Sequence, residues 1–183
     1  MMIEVPSSGD FRKLADLIKD VRVAMMHTML EDRGSGGASR QQVRPMYTQR
    51  LDPAAFRGEL WFFTDAASRK VAEIADASAV LLTYAAPDKN LYAVAFGTAV
   101  CERNEQEARD LWNIHAKGWW PEGPASPSLM LIRVQVQTAE YWDGPSSTSY
   151  MLSLLKAVAL GQRVQPGGEH GRVEGGGVES IAR

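Results

Sequence analysis

The sequence predicts a mainly β protein, an antiparallel sheet curled into a small barrel with helices at its periphery. Three observations carry this. About six strand-like runs occur with only two or three helical ones, in no regular strand-helix-strand alternation. Most links between strands are too short for parallel crossovers. A glycine, Gly97, sits mid-strand in the fifth run, where a tightly curved sheet needs a bend or bulge. No GxGxxG or P-loop pattern supports a Rossmann-type sheet instead.

The elements follow in order. Residues 10 to 20 begin with Asp10 as a candidate N-cap, and Leu14, Leu17, Ile18 and Val21 fall at helical spacing. VRVAMMHTML (21–30) is a continuous apolar run suited to a buried strand, and EDRGSGG (31–37) a turn or loop. VRPMYTQ (43–49) returns as a second strand; Pro45 cannot donate to a ladder, so this strand is an edge or is irregular at that point. GELWFFT (58–64) is a third strand, and the helical run after it opens at Ala66. AVLLTYAAP (79–87) and NLYAVAFGTAVCE (90–102) form a hairpin. NEQEARDLWNIHAKGWW (104–120) reads as one helix. Asn104 and Glu107 resemble a capping box, with Ala108, Leu111, Trp112 and His115 on its inner face. SLMLIRVQVQTAEYWDG (128–144) is the sixth strand, with Ile132, Val134 and Val136 on one face and Arg133, Gln135 and Gln137 on the other. SSTSYMLSLLKAVAL (146–160) is a last helix. The chain divides into a folded domain over residues 1–165 and a Gly-rich, flexible tail over 166–183.

Composition narrows the function. With 183 residues, 45% of them hydrophobic, the chain supports one domain with a proper core. A formal charge of -2 argues against a dedicated nucleic-acid binder, whose affinity rests on phosphate neutralisation. The N-terminal MMIEVPSSGDFRKL lacks a basic segment followed by an apolar run, and no stretch is long enough to span a bilayer, so a cytoplasmic protein with no membrane partner is expected. The one cysteine, Cys101, excludes an internal disulfide and reads as a small buried side chain. His27, His115 and His170 are scattered and suggest no metal site.

One local arrangement stands out. In LWFFTDAASRK (60–70) two cations, Arg69 and Lys70, occupy the start of a helix, where the macrodipole already favours acids. Either they face water, or Ser68, Arg69 and Lys70 join the helix N-terminus in holding an anion such as a phosphate.

The order of VRPMYTQ, GELWFFTDAASRK, YAVAFGTA, LWNIHAKGWWPEG and AEYWDGP resembles the flavin-binding bacterial general stress proteins, within the pyridoxamine-5'-phosphate oxidase-like split-barrel group. The resemblance spans roughly residues 10 to 165. It implies a six-stranded antiparallel split β-barrel of Greek-key type, a homodimer with flavin at the subunit interface, and FMN as cofactor, with FAD as the alternative. It also implies the site residues: Ser68, Arg69 and Lys70 at the FMN phosphate, Phe63 and Thr64 at the ribityl-phosphate region. Arg44, Pro45, Met46 and Gln49 would lie along the isoalloxazine ring, and Trp142 near the ring from the other subunit. The chain departs from the true oxidases after Trp142, where DGPSSTSYMLSLL carries no Arg or His, and at Tyr92, where they place a glutamine. Classical pyridoxamine 5'-phosphate oxidase activity is therefore not expected. A flavin-dependent oxidoreductase using NAD(P)H, or a non-catalytic flavin carrier or sensor, are the two rival functions. No side chain stands out as a catalytic base.

Overall fold

The computed structural model describes residues 11–30, 40–145, 155–157 and 169–174. The elements run α1 (Arg12–Ile18), β1 (Val23–Leu30), β2 (Arg40–Tyr47), β3 (Glu59–Asp65), α2 (Arg69–Asp76), β4 (Ala79–Ala86), a 3-10 turn (Pro87–Lys89), β5 (Leu91–Glu102), α3 (Glu105–Asp110), α4 (Ile114–Trp119), β6 (Leu129–Asp143) and β7 (Glu169–Glu174). Every pairing is antiparallel, in the order β2-β1-β4-β5-β6-β3. A bridge between Thr48 and Phe62 and a bond from the Gln49 N–H to the Trp61 carbonyl bring β2 to β3. The six strands thus curl into the expected split barrel. Among the described residues, no helix is long and apolar enough to cross a membrane.

The core follows from strand alternation. Inward positions of β1, β4, β5 and β6 supply Ala24, Met26, Leu82, Tyr84, Ala93, Ala95, Ile132, Val134 and Val136, and α1 adds Leu14, Ala15 and Ile18. The alanines on β5 leave room for the larger side chains facing them. A second cluster lies beneath α3 and α4, where Phe63, Leu111, Trp120, Leu129 and Leu131 pack together.

Gly97 marks a bulge, as its position predicts. Phe96 pairs with Thr138 while Gly97 pairs with Val136, which leaves Gln137 as an extra residue on β6. A Cβ on Gly97 would lie 2.2 Å from the Gln135 carbonyl oxygen, so only glycine permits this approach. The extra residue reverses which face each side chain takes. Before it, Ile132, Val134 and Val136 point inward; after it, Ala139 and Tyr141 do. Trp142 is thereby turned out of the core.

Several boundaries differ from the sequence reading. β2 begins at Arg40, three residues before the predicted run over 43–49. The helix after β3 starts at Arg69, because Asp65 Oδ1 accepts the Ala67 N–H at 2.8 Å and holds residues 65–68 in a turn. The predicted helix over 104–120 is two helices. Asn113 caps the second, its Oδ1 accepting from the His115 and Ala116 N–H groups at 3.0 and 3.1 Å. Ala116, not His115, then faces inward. Asn104 does cap the first, accepting the Glu107 N–H at 3.0 Å.

The largest difference is in the predicted tail. Glu169–Glu174 forms β7, paired with Thr138–Asp143 of β6. Its alternation suits a strand, with Gly171 and Val173 buried and His170, Arg172 and Glu174 outward. Of the predicted last helix, residues 155–157 are helical; Asp10, the loop over 31–39 and the rest of the last helix and tail lie outside the described residues.

Candidate functional site

A cleft of about 440 Å³ opens between β2, the end of β3, the start of α2 and α4. Its lining falls into two groups. One is cationic and hydroxylic. The Lys70 Nζ donates to Thr64 Oγ1 at 3.0 Å and to Ser68 Oγ at 2.7 Å. Ser68 takes the N-cap position of α2, but its Oγ accepts from Lys70 and not from a backbone amide. The first turn of α2 lies beside it, where the Val71 N–H is already given to the Ser68 carbonyl at 3.0 Å. Asp65 also lines this part, its Oδ1 engaged by Ala67.

The other group is aromatic and amide-bearing. It includes Tyr47, Phe63, His115, Trp119 and Trp120. Phe63 packs against Trp112 and Trp120, with ring centroids 5.9 and 6.1 Å away. The His115 ring lies 5.2 Å from that of Tyr47. Gln49 and Asn113 are joined at 2.7 Å, which fixes two amides on the wall. Trp119 is 81% exposed and stands at the mouth.

Behind the cleft lies a buried ionic group. Glu73, 3% exposed on the inner face of α2, pairs with the Arg44 guanidinium and accepts from Thr28 Oγ1 at 2.7 Å. Arg44 also donates to Thr28 Oγ1 at 2.8 Å. Burial pushes the Glu73 carboxyl up, but the bonds from Thr28 and Arg44 and the charges of Arg44 and Arg69 outweigh it and leave the carboxyl below its ordinary value. Lys70 is shifted down, first by burial and then by the positive charge of Arg44. Glu73, Asp65 and Cys101 oppose that shift without cancelling it. Half-buried Cys101 has its thiol raised by burial.

Six of the residues singled out from the sequence line this cleft together: Pro45, Met46, Gln49, Phe63, Thr64 and Lys70. Ser68 touches it through Lys70. Arg44 and Arg69 stand close by but are not on its wall. The Arg44 side chain points to the barrel interior with Met46, whereas Pro45 and Tyr47 take the opposite face of β2. Trp142 is not brought to the cleft. β6 runs from Met130, the partner of Thr64, to Trp142 over twelve residues, about 40 Å of strand. Asn113, His115, Trp119 and Glu73 were not singled out as site residues. The first three lie in the LWNIHAKGWW run, whose aromatic density was a usable signal. Glu73 follows Arg69 at i,i+4 and reads as a surface pair, so its burial had no local mark.

The pyridoxamine 5'-phosphate oxidase-like family profile matches residues 9–165. The chain belongs to that family. No curated protein sequence matches it. Among solved structures it resembles a candidate general stress protein 26 from Jannaschia sp. CCS1, at 20% identity and TM-score 0.70, covering 89% of this chain and 96% of that one. It also resembles a general stress FMN/FAD binding protein from Xanthomonas citri, at 24% identity and TM-score 0.61, covering 75% and 91%. General stress protein 26 from Bacillus anthracis matches at 19% identity and TM-score 0.55, covering 70% and 92%. These likenesses extend the family's fold over the barrel described above.

Proposed function

We propose that this member of the oxidase-like family is a flavin-binding protein of the general stress type, taking FMN or FAD in the cleft as a homodimer. The observation that carries the reading is the cleft's paired chemistry. A lysine held by two hydroxyls at a helix N-terminus suits a phosphate. A wall of aromatic rings with two fixed amides suits a flat heterocycle with polar edges. One neighbour in fold, the Xanthomonas citri protein, is described as binding FMN/FAD.

In this reading Lys70, Ser68, Thr64 and the N-terminus of α2 hold the phosphate. Arg69, exposed at the same terminus, swings to it. Pro45, Met46, Gln49 and Phe63 border the ring. Glu73 holds the Arg44 guanidinium in place behind the cationic group. A bound flavin would supply the redox chemistry, whatever its electron donor.

The dimer rests on a separate feature. The outer face of the sheet is apolar: Met25 and Met29 on β1, Val43 on β2, and Phe96 and Val100 on β5 are all exposed. Pro45 adjoins this face and also lines the cleft. A second copy laid on the face would bury it and border the cleft at once.

The test is an FMN and riboflavin titration of flavin-free protein, read by fluorescence quenching. Wild type should prefer FMN. Arg69→Ala/Lys70→Ala should lose FMN affinity on the order of 100-fold and bind both ligands alike. An unchanged preference for FMN in the double variant would overturn the phosphate assignment.

A further inference from the structure

The outward row across β5, β6 and β7 is aromatic at every position. Tyr92 pairs with Trp142, and Trp142 pairs with His170. The Trp142 and His170 rings are stacked, with centroids 5.0 Å apart and planes 11° from parallel. Trp142 remains 41% exposed and Tyr92 43%, so each ring still offers surface. Residues in cross-strand register on one face stand close enough for their side chains to act together.

Three separate features of the sequence build this row. Gln137 in the bulge turns Trp142 outward. Gly171 lets β7 lie against β6, since a Cβ there would come within 2.3 Å of the Tyr141 hydroxyl. Val173 then anchors β7 in the core. On the same face the next β7 residue, Arg172, is drawn away to Glu140 at 3.8 Å and Glu174 at 3.0 Å. The imidazole is therefore left to the indole.

We propose that His170 is a positioning residue of the flavin site. Its stack fixes the plane of Trp142, and Tyr92, Trp142 and His170 form the aromatic wall that one copy lends to the flavin ring in its partner's cleft. This rests on the flavin-dimer reading above, because Trp142 does not line the cleft of its own chain. An indole held in one plane loses less freedom when a flat ring stacks on it, and the ligand gains that difference.

The experiment is an FMN titration of the full chain as Trp142→Ala, His170→Ala, His170→Phe and Gly171→Val, with each variant's urea midpoint measured alongside. Trp142→Ala and His170→Ala should each weaken FMN binding about three- to tenfold. His170→Phe, which keeps a stacking ring, should restore binding to within about twofold of wild type. Gly171→Val, which displaces β7 without touching any ring of the row, should match His170→Ala. His170→Ala should leave the urea midpoint at its wild-type value. Wild-type affinity in Trp142→Ala would remove the dimer reading on which the proposal stands. Loss in Trp142→Ala with wild-type affinity in His170→Ala and Gly171→Val would overturn the proposal alone. So would a His170→Phe variant as weak as His170→Ala, because stacking is the role assigned.

Discussion

β6 gives one edge to β5 along nearly its whole length, and the two halves of its other edge serve different regions. The first half, Leu129–Gln135, pairs with β3 beneath the cleft. The second half, Thr138–Asp143, pairs with β7 and carries Trp142. Between them sits the Gln137 bulge. The cleft half is tied down by charge: Glu73, Arg44 and Thr28 interlock behind α2, and Lys70 ties α2 to Thr64 of β3. The β7 half is tied down by shape: Gly171 admits Tyr141, Val173 enters the core and His170 lies flat on Trp142. A curved sheet can thus place two portions of one proposed site far apart on a single strand. In the proposed dimer, a second copy would unite them.

Breaking the charged half should have the larger effect. Glu73→Ala leaves Arg44 without its carboxylate and Thr28 without its acceptor in a buried setting. Removing one partner of such a pair costs more than the pair contributes, here about 3 kcal/mol. Urea unfolding of the FMN-free protein should show this loss. A cost below about 1 kcal/mol would mean Arg44 finds water in place of Glu73.

Breaking the shape-fitted half should cost less. Val173→Ala removes two methyl groups from a buried site on β7, about 2 kcal/mol if the site does not collapse. A loss as large as that of Glu73→Ala would mean β7 also supports the charged half through β6. No measurable loss would mean β7 is not bound to the barrel in solution.

The two halves also differed in how much the sequence disclosed. The barrel was readable because each of its strands has a strong period: the alternation of Ile132, Val134 and Val136, and the edge placement of Pro45, both hold. The cationic part of the cleft was readable because Ser68, Arg69 and Lys70 are adjacent in sequence and misplaced for a helix start. β7 was hidden by its glycine and by the Gly-rich sequence around it. In EHGRVE only Val173 is apolar, and Gly171 reads as flexibility when its role is to admit the Tyr141 ring. The two-helix break at Asn113 was hidden for a related reason: Ala108, Leu111, Trp112 and His115 keep a helical rhythm across it, and only the Asn113 cap divides them.

The smallest effect is the most selective for the charged half. Glu73 has its carboxyl lowered in the folded protein relative to the unfolded chain. The folded state therefore binds its proton less readily, and stability rises with pH wherever the unfolded chain is the more protonated. The Glu73 contribution is complete above the unfolded glutamate value of about 4.3 and is lost as pH falls through the lower folded value. A urea midpoint followed from pH 6 down to pH 3 should fall faster in wild type than in Glu73→Gln, which keeps the side chain's shape but cannot titrate there. Val173→Ala should keep the wild-type slope while sitting lower throughout, because its loss is one of packing. If Glu73→Gln and wild type fall in parallel, the acid sensitivity belongs to the exposed carboxylates. The charged half of the barrel would then be held by hydrogen-bond geometry more than by the charge on Glu73.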